Sequence, residues 1–188
     1  MRTFIAIEIP DSIKTELAKL QNDLRRAQAD VSWEKQENIH LTLRFLGEVE
    51  EEGLVVMKQV CAEIAADFAP FMLTLNGVGA FPNFRQPRVL WAGLAGEIKI
   101  AAQLQKRLEE RVDSLGFKPD DKPFKPHLTV GRVKSGKNAR QAAALAEIYQ
   151  LPALSFEVSE IVLMRSELHA SGARYTTLAK SALSQAAS

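Results

Sequence analysis

The tetrapeptide His-Leu-Thr-Leu at residues 40–43 recurs almost unchanged as His-Leu-Thr-Val at residues 127–130. Each copy alternates polar and apolar side chains with period two, the period of a β-strand, in which neighbours point to opposite faces. Leu41 and Leu43, or Leu128 and Val130, then face a core, while His40 and Thr42, or His127 and Thr129, share the other face. A chain built this way must pair and back both segments, and it leaves an imidazole and a hydroxyl outside each core. By the same alternation Arg44 joins the His40 face and Phe45 belongs to the core, whereas Arg132 falls on the Leu128 side.

The rest of the chain supplies the backing. Thr3 to Ile9 is apolar and β-branched and predicts a strand, which Pro10 stops; Asp11 and Ser12 then offer helix N-caps. Ile13, Leu17, Leu20, Leu24 and Ala27 form one apolar stripe at helical spacing. Leu54, Met57, Cys61, Ile64 and Phe68 repeat it, as do Ile98, Ala101, Leu104, Leu108, Val112 and Leu115. A fourth helix is expected over 139–149. Strands are expected over 71–79 and 88–94, joined by Phe-Pro-Asn-Phe-Arg-Gln-Pro, which is turn chemistry, and later over 155–164 and 174–179. The connections between adjacent strands are too short for parallel crossovers, so the pattern predicts an α+β fold with antiparallel sheets rather than a doubly wound one.

Several function classes drop out. With 188 residues and 46% hydrophobic content the chain can bury a core as one domain. Its 24 basic and 23 acidic residues give a net charge of +1, too little for a broad field around long nucleic acid, so any such contact should be local. Cys61, the single cysteine, can form no internal disulfide and sits in a helical stripe, so it reads as core in a protein of the reducing cytoplasm. No GxGxxG or GxxxxGK[ST] phosphate loop occurs, nor a G-x-S-x-G nucleophile elbow. The apolar run at the N-terminus is broken by Glu8 and is too brief for a signal peptide or a membrane span. The segment 182–188 is small and polar and is expected to fray.

The two motifs carry the chemistry. Facing each other across a cleft, they would surround one small anion with two imidazoles and two hydroxyls. Opening a cyclic phosphodiester takes a base to deprotonate water and an acid to protonate the departing oxygen on the opposite side of phosphorus. Histidine, with an ordinary pKa of about 6.5, can do either near neutrality. The hydroxyls of Thr42 and Thr129 can donate to nonbridging oxygens. A metal site would be the other use for two histidines, but neither HxH nor HExxH occurs and no carboxylate adjoins either motif, so no metal is expected.

Beyond the motifs stand Phe4-Ile-Ala-Ile, Ile39-His-Leu-Thr-Leu-Arg-Phe-Leu-Gly, Phe81-Pro, Pro87-Arg-Val-Leu-Trp, Phe124-Lys-Pro-His-Leu-Thr-Val-Gly-Arg and Ser166-Glu-Leu, followed by Gly172 and Tyr175. On these segments, which span nearly the whole chain, it resembles the 2H phosphoesterases. Within them it is similar to the bacterial and archaeal RNA 2′,3′-cyclic phosphodiesterases, also called 2′-5′ RNA ligases. The resemblance implies two pseudo-symmetric lobes, each a small antiparallel sheet backed by helices, with the motifs in the cleft between. It implies that His40 protonates the leaving 3′ oxygen, that His127 activates water, and that the product is a 2′-phosphomonoester. It implies reversible 2′-5′ joining without ATP or any other cofactor, and it nominates Arg132 to neutralise the phosphate, reaching around a strand end or bulge.

The expected partners are RNA ends or nucleotides carrying a 2′,3′-cyclic phosphate, met by a monomer whose single bilobal domain covers 1–181. Two alternatives stay open: a phosphodiesterase for small cyclic nucleotides or 2′-5′ oligoadenylates, and a noncatalytic module that binds RNA ends. Arg44 is a second candidate cation. Trp33 and Trp91 could stack on a base but, in strand-like segments, read better as packing; His169 reads as a surface turn, and Phe81, Phe84 and Arg85 as a loop bordering the cleft.

Overall fold

The structure, a computed structural model, describes residues 1–119, 123–170 and 172–185. Its first sheet joins β1 (Arg2–Glu8), β3 (His40–Glu48), β8 (Glu160–His169) and β9 (Gly172–Ala182) in the order β3-β1-β8-β9. Its second joins β2 (Val31–Trp33), β4 (Phe71–Phe81), β5 (Val89–Gly96), β6 (His127–Val133) and β7 (Ser155–Val158) in the order β2-β6-β5-β4-β7. The strand pairs are antiparallel throughout. Helices α2 (Glu51–Ala66) and α3 (Ile98–Asp113) pack on the first sheet, and α1 (Asp11–Arg25) and α4 (Ala139–Ile148) on the second. This is the expected α+β architecture of two sheets, each backed by helices, with one motif strand in each.

The helices form where the apolar stripes lie. Ile13, Leu17, Leu20 and Leu24 are fully buried along one side of α1. The helix starts without the expected side-chain cap: Pro10 is the N-cap residue, and its carbonyl accepts the N–H groups of Ile13 and Lys14. Cys61 is buried among its stripe neighbours, and burial pushes its thiol up to about 12, as for an inert core cysteine.

Two late expectations need correction. The single strand over 155–164 is two strands in different sheets, interrupted at Ser159. Parity is the reason: Phe156 and Val158 point into the core at even positions, Ile161 and Leu163 at odd ones, and one uninterrupted strand cannot do both. The C-terminal segment does not fray from its first residue. Ala182 ends β9, Leu183 is buried with its N–H donating to the Ser159 carbonyl, and the Gln185 N–H donates to the Phe68 carbonyl; residues 186–188 lie outside the described residues.

The feature that shapes the cleft is a β-bulge placed identically in the two motif strands. In β3, Ala6 pairs with Thr42 but Ile5 pairs with Arg44, so Leu43 is the extra residue. In β6, Trp91 pairs with Thr129 but Leu90 pairs with Gly131, so Val130 is extra. A bulge slips the alternation by one. Phe45 is therefore not a core residue; it is 56% exposed on the His40 face. Arg132 returns to the His127 face by the same slip.

Arg44 consequently turns inward, away from the role of second cleft cation. It is buried, and its Nη2 donates to the Asp113 carboxylate of α3 and to the Lys118 carbonyl, each at 2.7 Å. Removing one partner of a buried guanidinium leaves a charge poorly compensated. Asp113→Ala should lower the unfolding free energy by about 1.5 to 3 kcal/mol, the worth of a hydrogen bond to a charged group. Arg44→Met, which removes the charge and keeps the bulk, should cost less; urea denaturation of both variants measures the difference.

Candidate active site

His40 and His127 open β3 and β6, and both rings are fixed the same way. The Nδ1–H of His40 donates to the Asn38 carbonyl and that of His127 to the Lys125 carbonyl, each at 2.6 Å and each two residues upstream. A carbonyl can only accept, so Nδ1 carries the hydrogen and Nε2 is left for chemistry. The Nε2 of His40 stands 2.9 Å from Thr42 Oγ1. Asn38 is itself pinned, its buried amide donating to the Ala173 carbonyl of β9 at 2.8 Å.

Aromatic rings wall each imidazole. Phe4 stacks on His40 with centroids 4.7 Å apart, and Tyr175 meets it edge-on at 5.2 Å. Phe81 meets His127 edge-on at 4.9 Å, with Trp91 at 6.1 Å. Trp91 is seated because Gly79 has no side chain: a Cβ there would lie 2.2 Å from the indole. Sequence reasoning left Phe4 and Tyr175 without roles and favoured packing over base stacking for Trp91. The signal available was parity, since Phe4 and Ala6 alternate with Ile5 and Ile7 on β1.

The five residues singled out in the sequence, His40, Thr42, His127, Thr129 and Arg132, line one chamber of about 670 Å³ between the sheets. Thr42, Phe45, His127, Thr129 and Arg132 also line an adjoining chamber of about 600 Å³. The site thus has two wings meeting at the motifs. The His40 wing contains Trp33, Glu34 and Tyr175; the His127 wing contains Phe81, Phe124, Lys125 and Arg88. Phe84 packs against the core, Arg85 borders a neighbouring chamber, and His169 is exposed at the end of β8. Among the described residues no group of three or more His, Cys, Asp or Glu could hold a metal ion.

Burial sets the electrostatics. It pushes His40 down to about 4, opposed by the hydrogen bond to Asn38 and reinforced by the charges of Lys14, Arg132 and His127. His127 is lowered for the same first reason, with Arg132 adding to it. Desolvation disfavours the charged form of an imidazole, so near neutrality both rings are uncharged in the free protein. An anion between them reverses this, because a negative charge beside Nε2 favours the proton. Glu34 is raised above the usual carboxylate range by burial, although Arg132 and Asn38 oppose the shift.

Two lobes that each bring one strand-borne imidazole and one hydroxyl to a common cleft define a two-histidine phosphoesterase. The sequence profile of the LigT-like phosphoesterases matches residues 7–91 and 94–175, and the chain belongs to that family. It is 35% identical to the RNA 2′,3′-cyclic phosphodiesterase of Methanothermobacter thermautotrophicus, over 95% of this chain and 96% of the relative. It is 38% identical to the protein of the same name from Archaeoglobus fulgidus, over 95% and 98%. The crystal structure of TT0787 of Thermus thermophilus superposes with a TM-score of 0.79 at 32% identity, covering 98% of this chain and 99% of that one.

The depressed imidazoles make an observable claim. In NMR titrations of the free protein, His40 should stay neutral down to about pH 4 and His127 should titrate below the ordinary range. Saturating inorganic phosphate should raise both. Because kcat/KM reports the free enzyme and kcat the complex, the kcat optimum should lie at higher pH than that of kcat/KM. Coincident optima, with rings that ignore phosphate, would show that anion binding does not tune the pair.

Proposed function

We propose that this protein is an RNA 2′,3′-cyclic phosphodiesterase that opens cyclic phosphate ends to 2′-phosphomonoesters by acid–base catalysis with two histidines. The observation that carries the reading is the convergence in one chamber of two imidazoles, both tethered through Nδ1, with Thr42, Thr129 and the guanidinium of Arg132. The names of the relatives support the substrate.

The chemistry follows from the two Nε2 atoms. The phosphate enters between the threonine hydroxyls and Arg132, which donate to its nonbridging oxygens. Its charge raises the affinity of His40 for a proton and so creates the acid that the free protein lacks. His127 Nε2 takes a proton from water as the oxygen attacks phosphorus. The P–O3′ bond breaks on the opposite side, and His40 Nε2–H delivers its proton to O3′. With a 5′-hydroxyl in place of water the same transfers form a 2′-5′ phosphodiester, and the reverse cleaves one. The energy resides in the strained ring, so joining draws on no ATP, and the threonine hydroxyls and Arg132 meet the phosphate charge that a metal would otherwise meet. The enzyme works as a monomer, with both sheets sharing one core in a single domain over 1–181, and the lone buried Cys61 suits the cytoplasm.

His40→Ala and His127→Ala should each lower turnover of a nucleoside 2′,3′-cyclic phosphate by roughly 10²- to 10⁴-fold. The double variant should be little worse than the poorer single, because both act on one transition state. Thr42→Val and Thr129→Val should each cost about ten- to a hundredfold in rate, with thermal melts unchanged. EDTA should leave the parent rate intact. Full activity in a single histidine variant, or a rate that vanishes in EDTA and returns with divalent metal, would overturn the reading.

A further inference from the structure

A carboxylate stands in a chamber suited to an anion. Among the described residues Glu34 is the sole Asp or Glu lining the space that holds both imidazoles, both threonine hydroxyls and Arg132. Its charge opposes a bound phosphate, so phosphate binding gives no reason for its presence. Neither does an ion pair, since among the described residues Glu34 forms none. The field of Arg132 reaches the carboxyl, and the Asn38 amide and the Lys35 backbone N–H lie beside it. A carboxylate can accept about four hydrogen bonds, so capacity remains for a ligand.

The backbone fixes where that capacity points. The Glu34 N–H donates to the Val130 carbonyl at 3.0 Å, at the bulge of β6, and the Glu34 carbonyl accepts from the buried Gln21 amide of α1 at 2.7 Å. The same amide donates to the Val130 carbonyl at 2.9 Å, so one side chain ties both segments together. Ser32 pairs with Arg132, and alternation puts Glu34 on the face that those two share. Glu34 therefore stands one strand over and two residues along from Arg132, about 8 Å between backbones. The reach from a ribose phosphate to the Watson–Crick edge of its own base is of that order.

In-line displacement says which base this is. The leaving oxygen belongs to the ribose that carries the cyclic phosphate, so that nucleoside lies on the His40 side, in the wing that contains Glu34. An ionised carboxylate only accepts. Among the RNA bases guanine alone presents two adjacent donors on its Watson–Crick edge, N1–H and the 2-amino group. Adenine and cytosine set a ring acceptor beside their amino group, and uracil flanks its N3–H with two carbonyls. We propose that Glu34 is a specificity-determining residue that accepts from N1–H and the 2-amino group of a 3′-terminal guanine, so that RNA ends closed as guanosine 2′,3′-cyclic phosphate are preferred. The inference rests on the reading of the site as a cyclic phosphodiesterase and names the terminal base it selects. The repulsion between Glu34 and the phosphate is common to every substrate and leaves the ranking of bases unchanged.

Inosine, which is guanosine without the 2-amino group, isolates the contact. The parent should open guanosine 2′,3′-cyclic phosphate with a kcat/KM roughly ten- to a hundredfold above that of the inosine compound, the worth of one hydrogen bond to a charged acceptor. The cytidine and uridine compounds should also fall below guanosine. In Glu34→Val, a change that an extended edge segment accommodates, guanosine and inosine should come within about threefold of each other. Parent rates that do not separate guanosine from inosine would overturn the proposal without need of a folded variant. An equal change for every base in Glu34→Val would also overturn it and assign the carboxylate to balancing Arg132. Failure of the parent to open any cyclic phosphate would instead strike the functional reading. Calorimetric binding of guanosine and inosine 2′-monophosphates, with the same preference expected, would still judge the Glu34 contact.

Discussion

An extra residue at the equivalent place in each motif strand, Leu43 in β3 and Val130 in β6, determines what the cleft contains. Without the bulge at Leu43, Phe45 would be buried and the Arg44 cation would face the cleft; without the bulge at Val130, Arg132 would point into the helices behind the second sheet. The slip lets a strand fill a core with Leu41 and Leu43, or Leu128 and Val130, and still return Phe45 or Arg132 to the chamber beside the threonine. Because the bulges occupy equivalent places, Phe45 and Arg132 are pseudo-symmetric counterparts, one aromatic and one cationic. Their partners on the inner side differ accordingly. Arg44 is neutralised by Asp113, while Gly131 is bare because a Cβ there would meet Val31 and Trp33 of β2.

The second constraint is electrostatic. Both imidazoles are held by carbonyls through Nδ1 and surrounded by aromatic rings, which orients them at the cost of lowering their affinity for a proton. A site of this kind is poised rather than active when empty. An anion between the rings would favour the protonated form of each, so its binding and their protonation would be coupled. That coupling removes the need for a carboxylate beside either histidine. Arg132, whose charge would attract such an anion, itself disfavours the imidazolium of both rings.

Much of this was legible without coordinates, and the reasons can be traced to residues. The stripes of Ile13 to Leu24 and of Leu54 to Ile64 have the period of a helix packed on a sheet, and they pack so. The alternation of the motifs places His40 with Thr42 and His127 with Thr129, because strand parity is a local property of the backbone. Parity also accounts for the failures. Alternation holds only while pairing is regular, and pairing depends on a neighbouring strand distant in sequence. Arg44, Phe45 and the strand break at Ser159 were misread at the places where register changes. Phe4 and Tyr175 could be put on a face but not beside His40, since β1 and β9 reach it from opposite ends of the chain.

By itself, then, the sequence determined the fold class, the family and which side chains share the cleft face of each motif strand, since each follows from short-range period or from a motif that survives in linear order. The tertiary structure alone decided how Arg132 enters the site, why Arg44 does not, how burial lowers the two imidazoles, and that the cleft divides into two wings. Those properties are sums over groups brought together from separate strands and helices. Burial, field and cavity shape exist only once the two sheets have closed around a common core.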